Sequence, residues 1–124
     1  MARLAVGAEE LIVRLTWWEK LLARRGNVHL PLRAVETVDA DPSWWRPLRG
    51  TPGRGLWIPD VLSLGVREVA GEKDFVALRP RWGGVVCVGL RPESVPFARV
   101  VVSDRVPDGT AAIVRTALSR LRAD

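Results

Sequence analysis

Residues 61–90 read VLSLGVREVAGEKDFVALRPRWGGVVCVGL. Three apolar segments in this stretch are separated by two turn-forming segments, Gly71-Glu72-Lys73 and Pro80-Arg81-Trp82-Gly83-Gly84. Short segments rich in valine and leucine, bounded by glycine and proline, are typical of β-strands. We therefore predict three strands in hairpin succession, the last and most apolar of them central in a sheet, at Val61–Val69, Asp74–Arg79 and Val85–Leu90.

Upstream of this stretch, a period-2 pattern indicates further strands. Between Glu9 and Thr16, Leu11, Val13 and Leu15 share one face and Glu10, Ile12 and Arg14 share the other, which is the period-2 pattern of a strand. Two shorter strands are predicted at Asn27–Leu30 and Ala34–Ala40. Between them and the first strand, the spacing of Trp17–Arg25 changes to i,i+4 and favours one or two helical turns.

The segment from Asp41 to Pro59 is rich in residues that interrupt regular structure. It contains four prolines and three glycines. Such a density predicts a long loop with no regular element. Long loops within compact domains are commonly functional or mobile.

The C-terminal part of the chain predicts one more strand and a helix. The strand is Ala98–Ser103, and Pro107 is well placed to open the helix. Within the helix Ile113, Ala117 and Leu121 form one apolar stripe, and Val114 and Leu118 lie beside it. The helix is therefore amphipathic and is expected to cover an apolar surface. Three basic residues are expected to face away, namely Arg115, Arg120 and Arg122.

Three segments carry a resemblance to a known family. Val28-His29-Leu30-Pro31-Leu32-Arg33-Ala34-Val35-Glu36-Thr37-Val38 resembles the opening of bacterial pleckstrin-homology-like (PH-like) domains. Asp74-Phe75-Val76-Ala77-Leu78 is similar to the Phe-centred strand of that family, and Val100-Val101-Val102-Ser103 before a Pro-initiated helix resembles its ending. The resemblance implies a mainly β (α+β) fold, a partly open antiparallel barrel of about seven strands capped by a C-terminal α-helix. It also implies a binding or assembly module.

Length and composition predict a single soluble domain over residues 1–124. The chain has 19 basic and 14 acidic residues and a formal net charge of +5. Seventeen of the basic residues are arginine, which reflects either genomic base composition or selection for anion recognition. The arginines are spread along the chain, which favours the first interpretation. One cysteine, no signal-like N-terminus and no long apolar run together predict a cytoplasmic protein without a transmembrane segment.

Few residues in the sequence are suited to catalysis. The chain has one histidine, His29, one cysteine, Cys87, and no tyrosine. Cys87 lies in the most apolar segment, where a thiol behaves as a small hydrophobic side chain. Asp39 and Asp41 could bind a cation weakly, but Asp-x-Asp-Pro is more often a turn. We therefore expect no cofactor, no metal and no enzymatic activity; an enzyme would need separated carboxylates such as those of Asp60, Glu68 and Asp74.

Six tryptophans, four of them in adjacent pairs, are the most distinctive feature of the composition. The second pair lies in the predicted loop among arginines, and this set is the first candidate binding surface: Trp44, Trp45, Arg46, Arg49, Arg54 and Trp57. Arginines interleaved with indoles could bind an anion, a nucleic-acid strand or a protein. Equally, a Pro/Gly loop needs large side chains that anchor it on the fold. Both interpretations remain open.

The first pair belongs to a second candidate surface, consisting of Trp17, Trp18, Lys20, Arg24 and Arg25. These residues either form a lid on the end of the barrel or a wedge that enters a membrane interface or a partner's groove. The lid is the favoured interpretation.

The predicted function is that of a noncatalytic binding or assembly module that acts mainly through protein–protein contact. Self-association into a homo-oligomer is a further option. The alternative is a binder of an anionic ligand, an acidic membrane surface or single-stranded nucleic acid, acting through residues 44–57. The moderate net charge makes that alternative the weaker one.

Overall fold

The computed structural model describes residues 3–7, 9–16, 27–58, 61–91 and 96–123. The predicted helical turns at Trp17–Arg25 lie outside these residues. The described residues include two short 3₁₀ turns, Leu32–Ala34 and Pro80–Trp82. The strands and the helix are β1 (Arg3–Val6), β2 (Glu10–Arg14), β3 (Val28–Pro31), β4 (Val35–Asp41), β5 (Thr51–Ile58), β6 (Leu62–Val69), β7 (Glu72–Leu78), β8 (Val85–Leu90), β9 (Arg99–Ser103) and α1 (Pro107–Ala123).

The described strands form two sheets. One has the order β1-β2-β3, and the other has the order β4-β8-β9-β7-β6-β5. The prediction of a mainly β, α+β chain with one C-terminal helix is confirmed. The finer prediction of a partly open antiparallel barrel of about seven strands is not confirmed: the nine described strands lie in two sheets that form no closed barrel, and β7 pairs with β9 in parallel.

The predicted hairpin succession from β7 to β8 is wrong. β9 lies between these two strands, antiparallel to β8 and parallel to β7. The reason is visible in its composition: Val100, Val101 and Val102 are all buried, and a strand with apolar side chains on both faces is most stable in the interior of a sheet. The prediction that β8 is a central strand is confirmed, since it pairs with β4 and β9.

The predicted structureless loop at Asp41–Pro59 is also wrong, since it contains β5. This strand pairs with β6, and its register shifts between Pro52 and Gly55. β5 is the edge strand of its sheet, where a proline without an N–H group is tolerated. Gly55 is opposite Gly65, and a Cβ atom on Gly65 would lie only 2.6 Å from the Gly55 Cα atom. The glycines therefore permit close strand pairing here.

The main apolar core lies between the two sheets and α1. Phe75 of β7 is fully buried there, and its ring lies 5.7 Å from that of Phe97. Pro107 begins the helix as predicted, and Ala117 and Leu121 of the predicted stripe are half-buried against the core, but Ile113 is not. Ile113 is 61% exposed, whereas the neighbouring Val114 is fully buried. The other residues on the buried face are Ala111 and Leu118.

Candidate binding surface

A segment that we call the strap, residues 42–50, joins β4 to β5 and crosses the outer face of the six-stranded sheet. Trp44 and Leu48 of the strap pack against a small apolar cluster on that face, together with Trp57 of β5. The cluster is separate from the main core. Its buried members, which alternate along their strands with core residues, are Val76, Leu78, Val85 and Val101.

Ionic contacts fix the strap to the sheet at Asp74, which is only 1% exposed. Arg49 donates to both oxygens of this carboxylate, from Nε to Oδ2 at 2.8 Å and from Nη2 to Oδ1 at 2.9 Å. Arg99 of β9 donates to Oδ2 from Nε at 3.2 Å and from Nη2 at 3.1 Å, and also to the carbonyl oxygen of Pro47. The hydrogen bonds to Asp74 raise the pKa of Arg49 above its already high value, although desolvation opposes the shift.

A third arginine holds the far end of the strap. Arg67 of β6 donates from Nε to the carbonyl oxygen of Arg49 at 3.0 Å and from Nη2 to that of Gly50 at 2.8 Å. Its guanidinium carbon lies 5.7 Å from the ring centroid of Trp57. The indole N–H of Trp57 donates to the carbonyl oxygen of Gly53 at 3.1 Å. Three residues of the first candidate surface, Trp44, Arg49 and Trp57, are therefore engaged within the fold.

The remaining three residues of the first candidate surface are exposed. Trp45 is 57% exposed, and the guanidinium carbon of Arg46 lies 5.5 Å from its ring centroid. Arg46 also approaches Asp41, with 3.9 Å between Nη1 and Oδ1. Arg54 lies on β5, at the sheet edge opposite β4. Trp45 and Arg46 thus form one pair, and Arg54 belongs to another part of the surface.

Sheet register brings three more exposed or half-buried side chains to the end of the sheet at which the strap begins. Asp41 of β4 is opposite Val85 of β8, which in turn is opposite Ser103 of β9. The residues just beyond these positions therefore share one end of the sheet. They include Trp82, Arg105 and Val106; with Trp45 and Arg46 we call them the indole end.

Two cation–π contacts lie within the indole end, one between Arg46 and Trp45 and the other between Arg105 and Trp82. The guanidinium carbon of Arg105 lies 4.6 Å from the ring centroid of Trp82, within the distance at which such pairs attract. Val106 beside it is 67% exposed. Sequence reasoning assigned Trp82 to a turn and gave Arg105 no role. Twenty-three positions separate the two residues, and only the pairing of β8 with β9 brings them together.

The formal charges of the described residues at this end of the sheet nearly cancel. The basic side chains are those of Arg46, Arg79, Arg81 and Arg105. The acidic side chains there are those of Asp41, Asp104 and Asp108. Asp41 and Asp104 are also used locally, because Asp41 accepts the Ser43 N–H at 2.8 Å and Asp104 accepts the Val106 N–H at 2.8 Å. Asp41 therefore caps a turn, the more common interpretation of its sequence pattern.

The polar residues considered for chemistry are dispersed. His29 is exposed, and its Nδ1 lies 3.5 Å from Oε2 of Glu10. Burial raises the pKa of the Cys87 thiol, although the nearby Arg99 opposes this shift. Glu68 is exposed on β6, and the carboxylate of Asp74 is held by two arginines. Among the described residues, no group of three histidine, cysteine, aspartate or glutamate side chains could hold a metal ion.

The second candidate surface and Asp60 lie outside the described residues. No helix in the described part of the chain is long and apolar enough to cross a membrane. Comparisons of the chain with protein-family models, curated proteins and solved structures found no match.

Proposed function

We propose that this protein is a noncatalytic binding module and that it contacts a protein partner through the indole end. The observation that supports this proposal is the exposure of Trp45 and Val106 at the same end of the sheet as the Trp82–Arg105 pair. Tryptophan and arginine are the residue types most enriched among the side chains that dominate binding energy at protein interfaces. Exposed apolar side chains with a charged rim are typical of such contacts.

The strap supports the proposal because it presents Trp45 on a fixed backbone. Trp44 precedes this residue and is packed on the sheet, and Arg49 and Arg99 hold the strap on its other side. A binding side chain on a fixed segment loses less conformational entropy when a partner binds. The indole of Trp45 is therefore largely pre-organised for contact.

Charge favours a protein over a polyanion as the partner. Non-specific binding of nucleic acids depends on several phosphates being neutralised at once by unopposed basic side chains. At the indole end the aspartates oppose most of the arginines, and Arg49, the best positioned of the predicted anion ligands, is engaged with Asp74. A partner with an apolar pocket and a few carboxylates fits this surface better than a nucleic acid or an acidic membrane.

Membership of the PH-like family is also a proposal. It is supported by the order of the elements, in which antiparallel strands are followed by one C-terminal helix packed on the core. The parallel pairing of β7 with β9 departs from the antiparallel arrangement that the family implies. A binding role is consistent with this family, but the support for such a role in this chain comes from the indole end alone.

Site-specific photocrosslinking in living cells tests the proposal. The photoreactive residue p-benzoylphenylalanine replaces Trp45 in one variant and Lys73, which is exposed near the start of β7 at the opposite end of the sheet, in the control. We expect a discrete crosslinked protein from position 45, and its loss when Arg105→Glu is added to the same chain. Equal crosslinking from the two positions would contradict the proposal, as would binding of the purified protein to single-stranded oligonucleotides or acidic vesicles that depends on Trp45.

A further inference from the structure

A second apolar surface lies on the other side of the molecule, between α1 and β1. The stripe of Ile113, Ala117 and Leu121, which the sequence predicted would be buried, lines a groove of about 620 Å³ with Val6 and Gly7. Ile113 at this groove is 61% exposed to solvent. Ala117 and Leu121 also pack against the core, whereas Ile113 presents its apolar side chain to this groove and to solvent.

The groove opens beside a strand edge. Among the described strands, β1 pairs only with β2, so its other edge is the outer edge of the three-stranded sheet. Val6 and Gly7, which line the groove, belong to or follow β1, whereas no residue of β2 or β3 lines it. Open strand edges are sites at which another chain can pair. The groove therefore lies beside the helix at the point where β1 ends and the turn to β2 begins.

Small residues on the helix permit close approach of a second helix. Ala112 and Thr116 line the groove one turn apart. The hydroxyl of Thr116 donates to the carbonyl oxygen of Ala112 at 2.9 Å, so its proton is already satisfied within the helix. Thr116 can therefore be covered by an apolar surface without leaving an unsatisfied donor.

The charges around the groove have both signs. Arg120 lines the groove itself. A neighbouring depression shares Leu121 with it and is lined by Glu9, Glu10 and Arg33. A purely acidic or purely basic partner would place like charges opposite part of this rim. A second copy of the same surface, turned by a two-fold axis, can set the basic residues of each copy against the acidic residues of the other.

We propose that this face is a two-fold interface between two copies of the chain. In this arrangement Ile113 of one copy enters the groove of the other, and Arg120 of one copy faces Glu9 of the other. The proposal goes beyond the function proposed above, because it uses residues 112–121 of α1 and leaves the indole end accessible in each copy. The dimer would carry two copies of that binding surface.

Sedimentation velocity over a range of protein concentrations tests the interface. We expect the full-length protein to sediment increasingly as a dimer as its concentration rises. The Ile113→Glu variant is expected to weaken the dimer at least about tenfold, since it would bury a charge in the groove. The matched control is Ile58→Glu, because Ile58 is also exposed but lies on β5, far from the groove. Circular dichroism of both variants checks that the fold is retained.

Charge reversal tests the assigned orientation. Arg120→Glu and Glu9→Arg are each expected to weaken the dimer, and the double variant is expected to recover most of the loss. A protein that sediments as a monomer at all concentrations would overturn the proposal and would make an extended peptide the next occupant to consider. A dimer that withstands Ile113→Glu would overturn it too. No recovery in the double variant would overturn the assigned pairing of Arg120 with Glu9.

Discussion

Replacement of Arg49 by methionine tests whether the strap is fixed by the buried carboxylate of Asp74. Methionine keeps an unbranched apolar chain but removes the donors that reach Asp74 and Glu72. The matched control is Arg46→Met, which removes an arginine from the same strap at a position that makes only exposed contacts. We expect Arg49→Met to lower the free energy of unfolding, and Arg46→Met to leave it nearly unchanged.

The size of the effect follows from the surroundings of the two arginines. Hydrogen bonds to a charged group contribute about 1.5–3 kcal/mol each, but the side chain of Arg49 is 35% exposed, so solvent screening reduces this contribution. Arg99 continues to pair with Asp74 in the variant, so no buried charge is left without a partner. The contact with the exposed Glu72 adds less than about 0.5 kcal/mol. We therefore expect a loss of about 2 kcal/mol for Arg49→Met and less than about 0.5 kcal/mol for Arg46→Met.

Urea unfolding followed by tryptophan fluorescence measures both changes, since Trp44 and Trp57 report on the strap and circular dichroism reports on the sheets. A loss of about 2 kcal/mol lowers the urea midpoint by about 1 M. A double-mutant cycle with Asp74→Asn then separates the Arg49–Asp74 contribution from changes elsewhere. Equal midpoints for the two arginine variants, or additive effects in the cycle, would refute the reasoning.

Three further predictions concern Cys87 and the helix. Because burial raises the pKa of the Cys87 thiol, we expect iodoacetamide at pH 8 to label the native protein at least about tenfold more slowly than the urea-unfolded chain. The thiol's contribution to stability is full below the unfolded pKa of about 8.5 and declines as pH rises through the higher folded pKa; Cys87→Ala abolishes this decline. Val114→Ala is expected to lower the free energy of unfolding by about 2 kcal/mol, and Ile113→Ala by less than about 0.5 kcal/mol, in urea titrations at low protein concentration. Similar labelling rates, or the reverse order of the helix variants, would contradict these expectations.

The strands that local patterning predicts are largely those that the fold contains. Alternation in β2 is an example, since Leu11 and Val13 are fully buried and Glu10 and Arg14 are exposed. Strand order could not be predicted in the same way. The insertion of β9 between β7 and β8 depends on pairing between residues far apart in the sequence, which no local pattern records. The apolar positions of α1 were likewise visible, but the exposure of Ile113 depends on the orientation of the helix on the core.

The composition of the candidate surface was visible in the sequence, but the role of each residue was not. Arg46 and Arg49 lie three positions apart on the same segment and have the same chemistry. Their roles differ because, of these two arginines, Arg49 is the one that reaches the buried carboxylate of Asp74. Asp74 lies on β7, twenty-five positions further along the chain. Trp44 and Trp45 differ similarly, since one faces the sheet and the other faces solvent.

The residue types that favour a binding loop are also those that a strap across an apolar sheet requires. A sheet packed on one face by the core leaves its other face to be covered, and here that face carries Val76, Leu78, Val85 and Val101. Indoles cover such a face with few side chains, and prolines reduce the entropy that the segment loses on folding. Arginines satisfy strap carbonyl groups that receive no bond from a neighbouring strand. The candidate binding surface is therefore defined by the strap side chains that do not attach the strap to the sheet. Trp45 and Arg46, at the indole end, are two such side chains.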